Sequence, residues 1–288
     1  MSKALDEVVS LLDLDQIERD IFRGRSPAGE RRQRVFGGQV AGQALVAAGR
    51  TVPADRSVHS LHAYFIRPGD PTVPLVYVVE RVRDGRSFTT RRVTTIQHGK
   101  TIFTLSASFH LAEPVFEHSD AMPSVPGPEQ IEPTADRLRR LYGPDVEEYA
   151  RQNPIDIRYV GPLTAEAARD RTLISSRSIV WLKADGELPD DPLLHVCLMT
   201  YASDMTLLDT VLLAHGASWG ENVAIGASLD HAMWFHRPFR IDRWLLFVQD
   251  SPTASGARGL ARGEVYTESG ELVVSVVQEG LLRRSEPG

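Results

Sequence analysis

The sequence predicts an α+β fold built from one unit repeated in tandem, each unit a long antiparallel sheet wrapped around a single helix. Three observations carry this. The segments Val58 to Pro68 and Ser228 to Pro238 align on a shared Arg-Pro ending, which brings Tyr64 opposite Trp234 and Phe65 opposite Phe235. The turn Gln97-His98-Gly99-Lys100 matches Glu268-Ser269-Gly270-Glu271, and a β-rich run follows each. The spacing agrees, since Pro68 to Pro238 is 170 residues and Gly99 to Gly270 is 171. A nearly constant offset between motifs marks an internal duplication, which fixes the architecture before any single element is considered.

Taken in order, Val8 to Leu14 suits a short lead-in helix and Gln16 to Phe22 a first strand. Gly37 to Gly49 reads as a helix, because Val40, Ala44, Leu45 and Ala48 share a face and Gly49 suits a C-terminal cap. Strands follow near 58–66, 74–83, 87–97 and 101–111, with turn signals at Arg83-Asp84-Gly85-Arg86 and Gln97-His98-Gly99-Lys100. Prolines from Pro114 to Pro154 then interrupt the pattern and mark a linker over 113–154, with one helix expected from Thr134, as its cap, to Leu141. The second copy opens with strands near 155–160, 174–184 and 194–202. A helix from Met205 to His215, ended by Gly216, comes next, and strands near 227–236, 243–249, 256–267 and 272–283 close the copy. The units are therefore 1–112 and 155–288. A sheet around one helix is the hotdog arrangement. Two in tandem make a double hotdog, with one broad sheet and both helices on its concave side.

Composition narrows the function. The 288 residues suit one large domain or two smaller ones. A net charge of −6 leaves no basic surplus to neutralise phosphates, so nucleic acid is not expected as a partner. No apolar run is long enough for a membrane span, and the first residues lack a signal-peptide core. A single cysteine, Cys197, excludes an internal disulfide and fits a reducing cytoplasm. Its apolar neighbours Val196, Leu198 and Met199 favour a buried, inert thiol.

Four stretches carry a specific resemblance. They are Phe36 to Ala44, His59 to Asp70, Asp230 to Phe239, and Val277-Gln278-Glu279-Gly280. In this order they resemble the type II acyl-CoA thioesterases, double-hotdog enzymes of bacteria and peroxisomes. The resemblance runs from about Leu11 to Arg283 and is weakest in the linker. It implies an acyl-CoA substrate, and hydrolysis by an Asp, a Thr or Ser, and a Gln of the C-terminal copy. Those roles fall on Asp204, Ser228 and Gln278. In the first copy Val58 stands opposite Ser228 and Ala107 opposite Gln278, and the helix start at Gly37-Gly38 has no carboxylate. That copy should be catalytically silent.

These residue types suit the reaction. A thioester has a thiol leaving group with a pKa of about 8.5, so leaving-group protonation and metal assistance are dispensable. The remaining work is to hold a water, accept its proton and stabilise the oxyanion. Asp204, expected at the start of a helix, would be held ionised by the dipole. Ser228 and Gln278 both donate and accept hydrogen bonds and can orient that water without a covalent intermediate. A backbone N–H at Gly37 or Gly38 suits the oxyanion. Each residue alone has a plainer reading: Asp204 as a cap, Ser228 as a polar filler. Gln278 stands out because a buried amide needs partners. Strict alternation places Ser228, Asp230 and Ala232 on one strand face and His231 on the other, where His231 and Arg237-Pro238 read as structural.

Other signals are weaker. Gly216-Ala217-Ser218-Trp219-Gly220 fits the nucleophile-elbow pattern, but that elbow needs a strand before it and a helix after it. The histidines show no metal-ligand spacing, and no glycine-rich nucleotide loop is present, so no metal or cofactor is expected. A hydratase loop is also not found. The alternatives are a non-catalytic acyl-CoA-binding hotdog protein and a serine esterase using Ser218. The acyl chain is expected in an apolar tunnel between helices and sheet, and the chain is expected to form a homodimer or larger homo-oligomer.

Overall fold

The computed structural model describes residues 2–27, 33–113, 116–143, 146, 153–219 and 223–284. The lead-in helix α1, Lys3–Leu12, starts five residues before the expected Val8, because the Ser2 hydroxyl accepts from Leu5 N and caps it early. The expected strand at Gln16 to Phe22 is a hairpin of β1, Asp15–Glu18, and β2, Ile21–Gly24, turning at Asp20 with φ 62°. Asp20 tolerates the left-handed conformation, and its carboxylate also binds Arg81. Helix α2, Gly37–Gly49, has its expected bounds. Strands β3, Ser57–Phe65, β4, Leu75–Asp84, β5, Phe88–Gln97, and β6, Lys100–His110, fall within a residue or so of theirs.

The linker holds α3, Thr134–Tyr142. Thr134 is its first helical residue rather than its cap, and its hydroxyl donates to Ile157 O. The second copy comprises β7, Ile155–Tyr159; α4, Thr164–Arg169; β8, Arg177–Ala184; α5, Pro192–Ser203; and α6, Asp209–Leu213. Strands β9, Val223–Ser228, β10, Asp230–Phe235, β11, Leu245–Ser255, β12, Arg258–Thr267, and β13, Leu272–Arg284, complete it. One element is of the wrong type in the sequence reading. The expected strand over 194–202 is α5, the central helix of this copy, and the expected helix at Met205 to His215 is only the short α6. An unbroken apolar run does not distinguish a buried strand from a buried helix. The decisive signal is Asp191-Pro192: Asp191 Oδ1 accepts from Leu193 N and Leu194 N, and Pro192 is the first helical residue.

All strands join one antiparallel sheet in a double-hotdog α+β fold. From the seam β3–β10 the order runs outward as β6-β5-β4-β2-β1 on one side and β13-β12-β11-β8-β7 on the other, with β9 also on β13. The seam pairs Tyr64 with Asp230 and Ser60 with Trp234. The two Arg-Pro arginines make equivalent bonds, Arg67 to Thr101 O and Arg237 to Leu272 O, each tying a strand end to the next hairpin. On the concave face α2 and α5 lie antiparallel. A Cβ on Gly38 would strike Tyr201 O, one on Gly42 would lie 3.1 Å from Cys197 O, and one on Gly49 would meet Leu193. The convex face of the second copy is covered by the linker. Met122, Val125 and Ile131 pack on Trp181, Trp244, Leu246 and Tyr266, and Trp181 Nε1 donates to Pro126 O.

Candidate active site

Asp204 is the C-cap of α5 (φ −79°, ψ −3°), not the start of a helix. Its own helix therefore presents the negative end of its dipole, which disfavours a carboxylate there. The compensation comes from the other copy. Because α2 and α5 are antiparallel, the first turn of α2 lies against this end. A Cβ on Gly37 would sit 2.7 Å from Asp204 Oδ2. The first N–H groups of a helix have no intrahelical acceptors, and Phe36 contributes no side-chain cap to α2. The positive helix end expected beside Asp204 is thus that of α2.

Ser228 and Gln278 reach Asp204 because of a bulge. Ser228 pairs with Gly280 in β9–β13, whereas Ala232 pairs with Val277 in β10–β13. Three residues, 229 to 231, therefore span two on β13. The extra residue breaks the alternation expected for 227–236, so Ser228 shares the concave face with buried His231, Met233 and Gln278. Asp230 braces the bulge by accepting from Glu279 N at 2.7 Å, and burial raises the pKa of its carboxyl.

The result is a compact polar cluster. Asp204 Oδ1 accepts from Ser228 Oγ at 2.9 Å and from Gln278 Nε2 at 2.5 Å. Gln278 is fully buried, and among the described residues its Oε1 has no hydrogen-bond partner. The segment after Asp204 is pinned by Thr206 Oγ1, which donates to Gln249 Oε1 at 3.1 Å. Gln249 was legible by a signal like the one that marked Gln278, an amide directly after the apolar run Leu245 to Val248.

The cluster opens into a cavity of about 730 Å³, within the range of small-molecule sites. The first copy contributes Gly37, Phe65 and the two cations Arg34 and Arg67; the second contributes Asp204, Leu208 and Ser228. Asp209 and Trp219, which the sequence does not single out, also line it. Trp219 Nε1 donates to Asp209 Oδ1 at 2.5 Å, and Tyr159 OH donates to Asp209 Oδ2 at 3.2 Å. Burial raises the Asp209 pKa to about 6. Tyr159 is fifty residues away on β7, so no local pattern announces this group.

In the first copy the two matching positions are apolar and a buried guanidinium lies beside them. Val58 and Ala107 are buried at the positions of Ser228 and Gln278. Beside Ala107 lies fully buried Arg91, where the second copy has Ala261 beside Gln278. Arg91 donates to Thr51 Oγ1 at 2.8 Å, to Thr51 O at 3.0 Å and to Asp84 Oδ1 at 2.6 Å. Thr51 follows the C-cap of α2, so the pseudo-site is occupied by a guanidinium and its partners.

The other candidates sit apart. His231 is buried at the seam, 2.9 Å from Ser203 Oγ, and burial lowers its pKa to about 4. Cys197 is buried in α5, where desolvation pushes its thiol pKa up. Ser218 is buried after α6 and the turn at Gly216, so a helix precedes it where an elbow requires a strand.

Comparison with known proteins agrees with this architecture. A family profile described as acyl-CoA thioesterase matches residues 168–281, and one described as the acyl-CoA thioesterase N-terminal domain matches 25–110. Acyl-coenzyme A thioesterase 8 of Mus musculus is 42% identical over 96% of this chain and 88% of its own length. Acyl-CoA thioesterase 2 of Haemophilus influenzae is 39% identical over 99% of this chain and all of its own. The crystal structure of acyl-CoA thioesterase II TesB2 from Mycobacterium marinum superposes with a TM-score of 0.80 at 44% identity, covering 97% of this chain and 99% of that one. With both copies matched and identity near two-fifths across the whole length, the chain belongs to the type II acyl-CoA thioesterase family.

Proposed function

We propose that this chain hydrolyses acyl-CoA to a free carboxylic acid and CoA, using one site per chain built on Asp204, Ser228 and Gln278. The observation that carries this reading is the convergence of Ser228 and Gln278 on one oxygen of Asp204, against the first turn of α2. The thioester carbonyl is directed at the N–H groups of Gly37 and Gly38, which stabilise the oxyanion. One such donor contributes about 3 kcal/mol by precedent. A water donates one proton toward Asp204 and the other to Gln278 Oε1, which leaves a lone pair free to attack. Ser228 gives its own proton to Asp204 Oδ1 and so holds the carboxylate that receives the water's proton. As the water attacks, Asp204 takes its proton. The tetrahedral intermediate then collapses with expulsion of the CoA thiolate, a good leaving group. No bond to the protein forms.

On this reading the units are 1–112 and 155–288, joined by 113–154, and the first is silent because Arg91 occupies its pseudo-site. Its task is to supply α2 and the cations Arg34 and Arg67 for the CoA phosphates. We place the protein in the cytoplasm as a homodimer or larger assembly. Its one cysteine is buried, and no helix among the described residues is long and apolar enough to cross a membrane.

The test is thiol release from acyl-CoA esters of graded chain length, run beside Asp204→Asn. Turnover by wild type with a deep loss in the variant is the expected result. Turnover untouched by the variant would remove Asp204 from the mechanism. Binding without turnover would favour the non-catalytic acyl-CoA-binding protein.

A further inference from the structure

A second cavity of about 490 Å³ adjoins the first, and Met205, Asp209 and Trp219 line both. Its far walls come from elements outside the catalytic cluster: Leu138 and Tyr142 of α3, Ile155 and Ile157 of β7, and Leu163 and Ala165 at α4. We propose that this second cavity receives the distal carbons of a long acyl chain whose thioester lies at Asp204. Trp219, latched by Asp209, is the partition that governs how far the chain reaches. The inference rests on the thioesterase reading above.

Charge sets the direction of the substrate. The first-copy wall of the active-site cavity carries Arg34 and Arg67, which suit the CoA phosphates. The second-copy wall carries Met205, Leu208 and Trp219, leading away from those cations. Among the described residues no lysine or arginine lines the second cavity, whereas Asp156, Asp185 and Asp209 do. An anionic nucleotide is therefore unfavourable there and a hydrocarbon is not. Each methylene removed from water strengthens binding about fourfold.

Trp219 is built to divide the two spaces and to move. Its indole lies on Gly226, where any Cβ would collide with the ring. Its Nε1–H is held by Asp209, which Tyr159 ties in turn to β7. Yet Trp219 is 40% exposed and belongs to none of the buried hydrophobic clusters. Displacing the indole breaks its hydrogen bond to Asp209 and its contact with Gly226 without opening any of those clusters. The linker thereby acquires a role in specificity, since α3 walls the distal chamber.

The experiment compares hexanoyl-CoA with palmitoyl-CoA, as kcat/KM and as equilibrium Kd, for wild type, Leu138→Trp, Ala165→Phe and Trp219→Ala. Leu138→Trp and Ala165→Phe fill the chamber far from Asp204. Each should lower kcat/KM for palmitoyl-CoA at least tenfold and leave hexanoyl-CoA within about twofold. Trp219→Ala should raise the palmitoyl-to-hexanoyl ratio at least fivefold. The hexanoyl-CoA rate reports that each variant is folded. A palmitoyl-to-hexanoyl ratio equal to wild type in all three variants overturns the proposal. Absence of wild-type turnover on both esters overturns the thioesterase reading instead, and the same contrast in Kd then decides the cavity assignment.

Discussion

Asp204 is exposed to two opposed fields, the negative end of α5 and the positive end of α2; its Oδ1 is held by Ser228 and Gln278 while Oδ2 lies against Gly37. Replacing it with asparagine keeps its size and an acceptor but removes the proposed base. Asp204→Asn should lower kcat by about 10²–10⁴ with an unchanged circular dichroism spectrum. Gly37→Ala should also cut kcat, because its Cβ would press on Asp204 Oδ2 and the Phe65 ring. Two buried groups away from the base shape the pH dependence of stability. His231 titrates at about 4 when folded and at about 6.5 when unfolded. The unfolded chain binds more protons between those values, so this group costs stability as pH falls through that window. Asp209 titrates at about 6 when folded against an ordinary aspartate value of 3.8, so the folded chain binds the extra proton and stability falls as pH rises from about 4 to 6. The two effects oppose each other in the wild type. Asp209→Asn removes one of them and should be more stable than wild type at neutral pH. That advantage should shrink by about 1 kcal/mol on going to about pH 5, as urea melts would measure. At this scale the sequence, through the resemblance, points to Asp204, Ser228 and Gln278. It is silent on Asp209, Trp219 and Tyr159, whose contacts exist only once α6, β9 and β7 have met.

At the scale of elements, the strands were legible because alternation and positive-φ turns such as His98-Gly99 leave local marks. Helix α5 was not. Its apolar run lacks a polar face, since one side packs on α2 and its end meets the sheet at His231 and Met233. Misplacing that helix is what put Asp204 at a helix start rather than an end. The bulge between β9 and β10 was equally hidden, because an extra residue changes pairing without changing composition. The first copy has a bulge at the same place, where Val58 pairs with Phe109 but Ser60 with Ser108. The duplication therefore preserves the geometry while Val58 stands where the second copy has Ser228. The contact of α2 with α5 depends on glycine at one point above others. Gly38→Ala would drive a methyl into Tyr201 O and should destabilise the chain by about 1–3 kcal/mol, read as a lower Tm. Gly42→Ala, with 3.1 Å to Cys197 O, should cost less.

For the whole molecule, the near-symmetric strand order about the β3–β10 seam is the part the sequence displayed most openly, through its constant offset. What it did not display is the linker's path across the convex face, where Trp181 and Trp244 find partners in Pro126 and Glu129. Proline spacing reveals an interruption but not the surface it covers. The seam also predicts that 155–288 expressed alone should hydrolyse no acyl-CoA, although it holds Asp204, Ser228 and Gln278. Thiol release by that fragment at a wild-type rate would refute the assignment of α2 to the site. The antiparallel meeting of α2 and α5 has a genetic consequence. On the proposed mechanism the first half stays under selection, because its Gly37 lies against Asp204 of the second. Null alleles should therefore map to both halves, and the duplicated copies should have diverged as a single unit of selection.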